Sequence, residues 1–352
     1  MVVPDICPRE QDFTNLLSEV CEDLVKIVKG GEDYVCLVFG GSGTAVMDSC
    51  LNSVVPPGKK ILVINNGAYG QRMVDIAKAY NISCVDVKFE PHVAIELSHV
   101  EQATAEDPQI ACVAMVHHET TTGMLNPIKE IGEIAKNHRK VFIVDAISSF
   151  AGIPIDAKEL GVDYLISTAN KCLQGMAGAS FVIARISELA KLHAFPKRSY
   201  YLDLYNQYEF FRETTQVPFT PPVQVIYSLK QALKEYFEEG GENRFRRYLE
   251  SSRVLRAGLE EMGFRLLLDK KLQSPFLVTV IEPSDENYSF QTLHDLLYAM
   301  GFTIYPGKLH IVHTFRVANI GAIDKSDIHG FLTALRTVLV KMNMVVGQNR
   351  YR

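Results

Sequence analysis

From residue 34 onward, short apolar runs of strand length alternate with segments whose apolar residues recur at helical spacing. That alternation leaves few folds open: it builds a mostly parallel sheet covered by helices, the α/β class. The runs 34–39, 60–64, 83–89, 110–116, 141–144, 163–167 and 180–184 are the expected strands, seven in one large domain. Helices are expected at 45–54, 68–80 and 127–137, the last with Pro127 at a tolerated first-turn position. The periodic stretch 223–239 ends at Gly240 and Gly241, a helix-stop pair that sets the expected domain boundary. This gives a large domain over 1–240 and a smaller α+β domain over 241–352. In the second, helices are expected at 244–262, 290–300 and 327–342, and a strand at 276–281.

A length of 352 residues suits two domains at about 150 residues each. Acidic residues outnumber basic ones, 41 to 36, and no long basic run is present, which disfavours a nucleic-acid footprint or a polybasic membrane surface. Apolar runs such as 111–116 fall far short of the roughly 18 residues of a membrane span, and charges at Asp5, Arg9, Glu10 and Asp12 break up the first dozen residues. The expected location is the cytoplasm. The 7 cysteines show no Cys-x-x-Cys spacing, so neither a disulfide framework nor a zinc knuckle is expected, and Cys36 and Cys112 read as small core residues.

In a parallel α/β sheet, ligands bind beyond the carboxyl ends of the strands. The first strand exits into Gly40-Gly41-Ser42-Gly43-Thr44 ahead of a helix, where backbone N–H groups and the positive end of the dipole can hold a phosphate; a plain glycine turn fits the same residues. The third glycine of a dinucleotide fingerprint is absent, Walker A lacks its Gly-Lys ending, and Asn65-Asn66 stand where a ribose-binding acid belongs, so a nicotinamide-dependent oxidoreductase fits poorly. The second exit carries Tyr69, able to stack on a planar ring or simply to pack. The fourth runs into His117-His118-Glu119-Thr120-Thr121-Thr122-Gly123. Adjacent histidines on an extended segment point to opposite faces and chelate poorly, so no metal is expected, whereas the Thr120 hydroxyl can donate to a ligand. The fifth strand delivers Asp145, an acid that needs a partner or a task, and 26 positions later another strand ends in Asn170-Lys171.

Together these residues are what pyridoxal 5′-phosphate requires: an anion cradle, a stacking aromatic, a hydroxyl, a lysine amine that bonds the cofactor, and an aspartate that keeps its ring nitrogen protonated. Over nearly its whole length the sequence resembles the class V, fold-type I aminotransferases. The resemblance rests on Gly41-Ser42-Gly43-Thr44, Asn66-Gly67-Ala68-Tyr69-Gly70-Gln71-Arg72-Met73, the run from Met115 to Pro127, Val144-Asp145-Ala146-Ile147-Ser148-Ser149-Phe150 and Ser167-Thr168-Ala169-Asn170-Lys171-Cys172. Tyr305-Pro306-Gly307-Lys308 and the run from Phe315 to Gly321 extend it into the small domain.

The resemblance implies that Lys171 holds the cofactor and moves the proton, with Asp145 on the ring nitrogen. It implies Tyr69 on the ring face, Thr120 at the ring hydroxyl, Ser42, Gly43 and Thr44 around the phosphate, and Ile147 and Asn170 completing the cofactor pocket. Arg316 is implied to grip the substrate's acidic group, because a planar guanidinium matches a carboxylate or phosphonate bidentately. Arg72 and Lys308 are candidates for further cations beside it. Thr220 matches a position that reaches the neighbouring subunit's phosphate, which implies a homodimer with shared sites; a proline-rich turn before the following helix is the alternative. Relatives begin with a Pro-Gly-Pro element near the substrate, and the opening Met1-Val2-Val3-Pro4 lacks it, so part of one substrate wall is expected to be missing.

The implied activity moves the amino group of 2-aminoethylphosphonate to pyruvate, giving phosphonoacetaldehyde and L-alanine. Alanine:glyoxylate or serine:pyruvate transamination, and a truncated, non-catalytic cofactor-binding module, are the alternatives.

Overall fold

In the computed structural model, which describes residues 3–307, 309 and 312–345, the seven expected runs pair into one sheet. The chain enters through α1 (Gln11–Ile27), β1 (Tyr34–Gly40), α2 (Gly43–Val54), β2 (Lys60–Asn65), α3 (Ala68–Ala79), β3 (Ser83–Lys88), α4 (Leu97–Glu106) and β4 (Ile110–Val116). A short hairpin of β5 (His118–Glu119) and β6 (Met124–Leu125) leads to α5 (Ile128–Asn137), β7 (Val141–Asp145), β8 (Tyr164–Thr168) and β9 (Ala179–Arg185). Then come α6 (Ile186–Leu189), α7 (Leu204–Thr214), α8 (Val223–Glu239) and α9 (Gly241–Glu261). Last are β10 (Leu277–Ile281), α10 (Phe290–Tyr298), β11 (Tyr305–Pro306), β12 (Thr314–Ala318) and α11 (Lys325–Lys341).

The sheet order is β1-β9-β8-β7-β4-β2-β3. Strands β8, β7, β4, β2 and β3 run parallel, and β9 is antiparallel to both β8 and β1. It follows that β1, β2, β4, β7 and β8 end at one edge, and the polar residues after each of them are gathered there. Both faces are covered, which is why the strands read as continuous apolar runs rather than as alternation. Val38, Leu62, Ile64, Met115, Val144 and Phe181 face one core with α1, α5 and α8; Leu37, Phe39, Ile61, Val63, Ile143 and Val182 face the other with α2, α3 and α7.

A third core joins α9, β10, α10, β12 and α11 around Leu255, Leu259, Phe264, Val280 and Phe315, with the small sheet ordered β10-β12-β11. Cys36 and Cys112 are fully buried, and every described cysteine is free.

Several elements depart from the sequence reading. α1, α4, α7 and β12 were not among the expected elements. The glycine pair stops α8 but does not break the path, since Gly240 takes φ +80°, a region that favours glycine, and Gly241 already opens α9. No helix among the described residues is long and apolar enough to cross a membrane.

Candidate active site

At the shared edge of the sheet lies a cavity of about 540 Å³ lined by Ser42, Gly43, Thr44, Tyr69, Asp145, Ile147, Asn170 and Lys171, among others. A second, of about 750 Å³, opens beside it and is lined by Thr120, Tyr305 and Arg316 together with Tyr69, Asn170 and Lys171. Those last three residues belong to both. Of the sequence-derived candidates among the described residues, all but one line these two cavities. Thr220 lies at a separate small pocket with Phe39, Gly40 and Pro222.

One end of the first cavity is the N-terminus of α2. Ser42 is its N-cap without a side-chain capping bond, and the N–H groups of Ser42, Gly43 and Thr44 have no acceptor among the described residues. Such free donors at the positive end of a twelve-residue helix attract an anion. Arg72, from the second turn of α3, donates to Thr44 Oγ1 at 3.0 Å and lies over the Tyr69 ring, 4.8 Å from its centroid. The structure therefore sets Arg72 among the residues of the first cavity and not among those lining the second with Arg316; Lys308, the other suggested cation, lies outside the described residues.

Asp145, the last residue of β7, is 2% exposed, and its Oδ1 accepts from the Ile147 N–H at 2.8 Å. Its second oxygen has no hydrogen-bond partner among the described residues. Burial pushes its pKa up to about 7, against the pull of the Ile147 N–H; Glu119 raises it further, and Arg72 and Lys171 lower it. Lys171 follows β8, and its amine takes part in no hydrogen bond or ion pair among the described residues. An uncommitted amine and a half-satisfied buried carboxyl on one cavity suit a planar, cationic, phosphorylated ring.

His118 also lines this cavity. Its Nδ1 donates to the Ser148 carbonyl at 3.3 Å, and its Nε2 accepts from Ser274 Oγ at 2.8 Å. Burial holds its pKa near about 4, so the imidazole is neutral at physiological pH.

In the second cavity Arg316, on β12, is anchored by backbone. Its Nε and Nη2 donate to the Pro306 carbonyl at 3.2 and 3.1 Å, and Nη1 to the Thr120 carbonyl at 3.0 Å. Burial lowers its pKa from the ordinary arginine value, but no acidic side chain pairs with it among the described residues. It is a fixed cation without a counter-ion.

The sequence reading assigns no role to Glu119, which is fully buried. Its carboxylate accepts from the Tyr69 N–H at 3.2 Å, the Thr121 N–H at 2.9 Å and the Thr121 hydroxyl at 2.5 Å. It clamps the start of α3 and thereby aims Tyr69. The available signal was a charged residue amid histidines and threonines directly after a fully apolar strand. Gly67 makes this approach possible, since a Cβ there would overlap the Glu119 carboxyl carbon. Gly67→Ala is expected to lose about 2–3 kcal/mol of stability in urea unfolding, the cost of overpacking a satisfied site.

The comparisons agree with this geometry. The family described as Aminotransferase class-V matches residues 6–298. The chain is 41% identical over 339 residues to the 2-aminoethylphosphonate–pyruvate transaminase of Klebsiella pneumoniae subsp. pneumoniae, covering 94% of this chain and 91% of that protein. It is 39% identical to the Bacteroides fragilis protein of the same name, over 95% of this chain and 93% of that one. Among solved structures, alanine–glyoxylate aminotransferase from Nostoc sp. superposes with a TM-score of 0.88 at 26% identity, covering 96% of this chain and 90% of that one. Ureidoglycine-glyoxylate aminotransferase from Bacillus subtilis does so with a TM-score of 0.90 at 24% identity, over 99% and 90%, a likeness of fold. With an anion cradle, a buried acid and an uncommitted amine at one sheet edge, and this family's match running across more than four-fifths of its length, the chain belongs to the class-V aminotransferases.

Proposed function

We propose that the protein is a pyridoxal 5′-phosphate enzyme that transfers the amino group of 2-aminoethylphosphonate to pyruvate, giving phosphonoacetaldehyde and L-alanine. The observation that carries this reading is a single cavity holding both the uncommitted Lys171 amine and the unpaired Arg316 cation. The names of the relatives near 40% identity support the choice of substrates.

The donor set fits the cofactor. The free N–H groups of Ser42, Gly43 and Thr44 would hold its phosphate, and Asp145 its ring nitrogen. Tyr69 would lie on the ring face, Thr120 would donate to the ring hydroxyl, and Ile147 and Asn170 would close the pocket. When bound, pyridoxal 5′-phosphate supplies an electron sink for the carbanion left as a proton departs from the carbon bearing the amino group. Lys171 would anchor the cofactor covalently until the donor's amine takes its place, and the freed Nζ would then take that proton and deliver it to a different carbon, not back to the one it left. Arg316 would hold the phosphonate of the donor and the carboxylate of pyruvate in turn, its orientation fixed beforehand by the Pro306 and Thr120 carbonyls.

The enzyme would act in the cytoplasm as a homodimer in which Thr220, which lines a pocket separate from its own active-site cavity, reaches the partner's phosphate. The division into a large unit before Gly240 and a small one after it belongs to the same proposal.

Incubation with pyridoxal phosphate, 2-aminoethylphosphonate and pyruvate is expected to yield L-alanine and phosphonoacetaldehyde in equal amounts. Turnover of alanine with glyoxylate or of serine with pyruvate, and none of the phosphonate, would reassign the substrate. Arg316→Lys keeps the charge but loses the planar fork, so KM for both substrates is expected to rise about 10- to 100-fold, with a smaller change in kcat.

A further inference from the structure

Lys171 and Arg316 line one cavity but belong to different sheets: Lys171 follows β8 of the large one, and Arg316 sits on β12 of the small one. The segments that follow these two residues converge on the first turns of α9. Arg244, 2% exposed, donates Nη1 to the carbonyls of Cys172 at 3.1 Å and Leu173 at 3.4 Å. One turn along, Arg247 donates Nη1 to the carbonyls of Gly321 at 2.8 Å and Ile323 at 2.9 Å. Glu239, the last residue of α8, joins the two. Its Oε2 accepts from Arg244 Nε at 2.6 Å, and its Oε1 from Arg247 Nε at 2.7 Å.

Tyr248 makes a second, independent bridge between the same segments. Its ring is fully buried, and its hydroxyl accepts from Gln174 Nε2 at 3.0 Å and from the Gly321 N–H at 3.3 Å. The arginines are themselves held in place, Arg244 over the Tyr236 ring at 5.0 Å and Arg247 over the Tyr248 ring at 4.9 Å. Arginine suits this task because its rigid fork satisfies a carboxylate and two carbonyls at once. A merely structural core has no need of a buried cation here, since apolar residues of similar volume would often serve stability as well.

We propose that Glu239, Arg244, Arg247 and Tyr248 form a clamp that fixes the distance from the Lys171 amine to the Arg316 guanidinium, and so sets the length of substrate the site accepts. The inference rests on the reading above that these two groups hold opposite ends of one substrate. All four are positioning residues: they act through the segments 172–174 and 319–323.

The test compares 2-aminoethylphosphonate with 3-aminopropylphosphonate, which is longer by one methylene. One methylene in a fixed site is discriminated by roughly 10- to 200-fold in kcat/KM, and the wild-type holoenzyme is expected to fall in that range. Tyr248→Phe removes only the bridging hydroxyl and is expected to lower the ratio at least about threefold. Glu239→Gln is expected to lower it further; it also takes the anion from a buried arginine, so if that variant does not fold, Tyr248→Phe decides. In cofactor-free protein, amide hydrogen exchange measured by mass spectrometry is expected to quicken in both segments together. An unchanged donor ratio, or exchange that quickens in one segment alone or in neither, overturns the clamp. A wild type that turns over neither phosphonate overturns the substrate reading instead, and the exchange measurement then still judges the clamp.

Discussion

Lys171→Ala is expected to remove transamination by on the order of 10⁴-fold or more, since one side chain is asked both to hold the cofactor covalently and to move the proton, and acid–base catalysis alone contributes about 10²–10⁴. Because the amine has no hydrogen-bond or ion-pair partner among the described residues, its loss leaves none of them unsatisfied, and the variant is expected to fold with an unchanged circular dichroism spectrum. Borohydride treatment should fix the cofactor to wild-type protein, with the added mass on the peptide carrying Lys171, and leave the variant unlabelled. Labelling of a different lysine, or turnover within tenfold of wild type, would show that the wrong amine has been chosen.

Asp145→Asn is expected to have effects of opposite sign on stability and on catalysis. In the cofactor-free protein burial raises the carboxyl pKa to about 7, far above an ordinary aspartate. Between about pH 4 and pH 7 the unfolded chain releases a proton that the folded one retains, so folding stability falls as pH rises through that window. At pH 8 the folded protein bears the cost of a buried carboxylate, on the order of a few kcal/mol. The amide bears none, and cofactor-free Asp145→Asn should melt above cofactor-free wild type at pH 8, the difference narrowing as pH falls and closing by about pH 4. With cofactor bound the order is expected to reverse, because a protonated ring nitrogen would pair with the carboxylate oxygen that has no hydrogen bond among the described residues. Loss of that ion pair should lower kcat by about 10²–10⁴. Equal melting of the two cofactor-free proteins at pH 8 would show that burial does not raise the Asp145 pKa, and full activity of the amide would show that Asp145 does not serve the ring nitrogen.

The fold was legible because its strands are buried on both faces. Runs such as 110–116 then stand out whatever their register, and a polar residue closing one, Asp145 above all, marks the edge where ligands bind. Helix α1 was equally amphipathic, with Phe13, Leu17, Val20, Cys21 and Leu24 buried on one stripe, but its N-cap Glu10 makes no side-chain capping bond, so no start signal announced it. Glu119 was visible as a letter within a motif and not as part of the site, and Arg72 only as a candidate cation beside Arg316 and not as a neighbour of Thr44 and Tyr69. Their roles depend on which backbone N–H or ring each one meets, and that is decided by how α3 docks against the β5–β6 hairpin. Arg244 and Arg247 of α9 were less legible still, since a surface ion pair and a buried one look alike in sequence.

The β9 strand is the last piece of the large sheet to leave the ribosome, and every hydrogen-bonded ladder among the seven strands is then available. Lys171 is already out by that point. Arg244, which donates to the carbonyls of Cys172 and Leu173, emerges 72 residues after the first of them, and Arg316 later again. The partners of every strand in the large sheet thus precede in the chain the residues that tie Lys171 and Arg316 into one cavity.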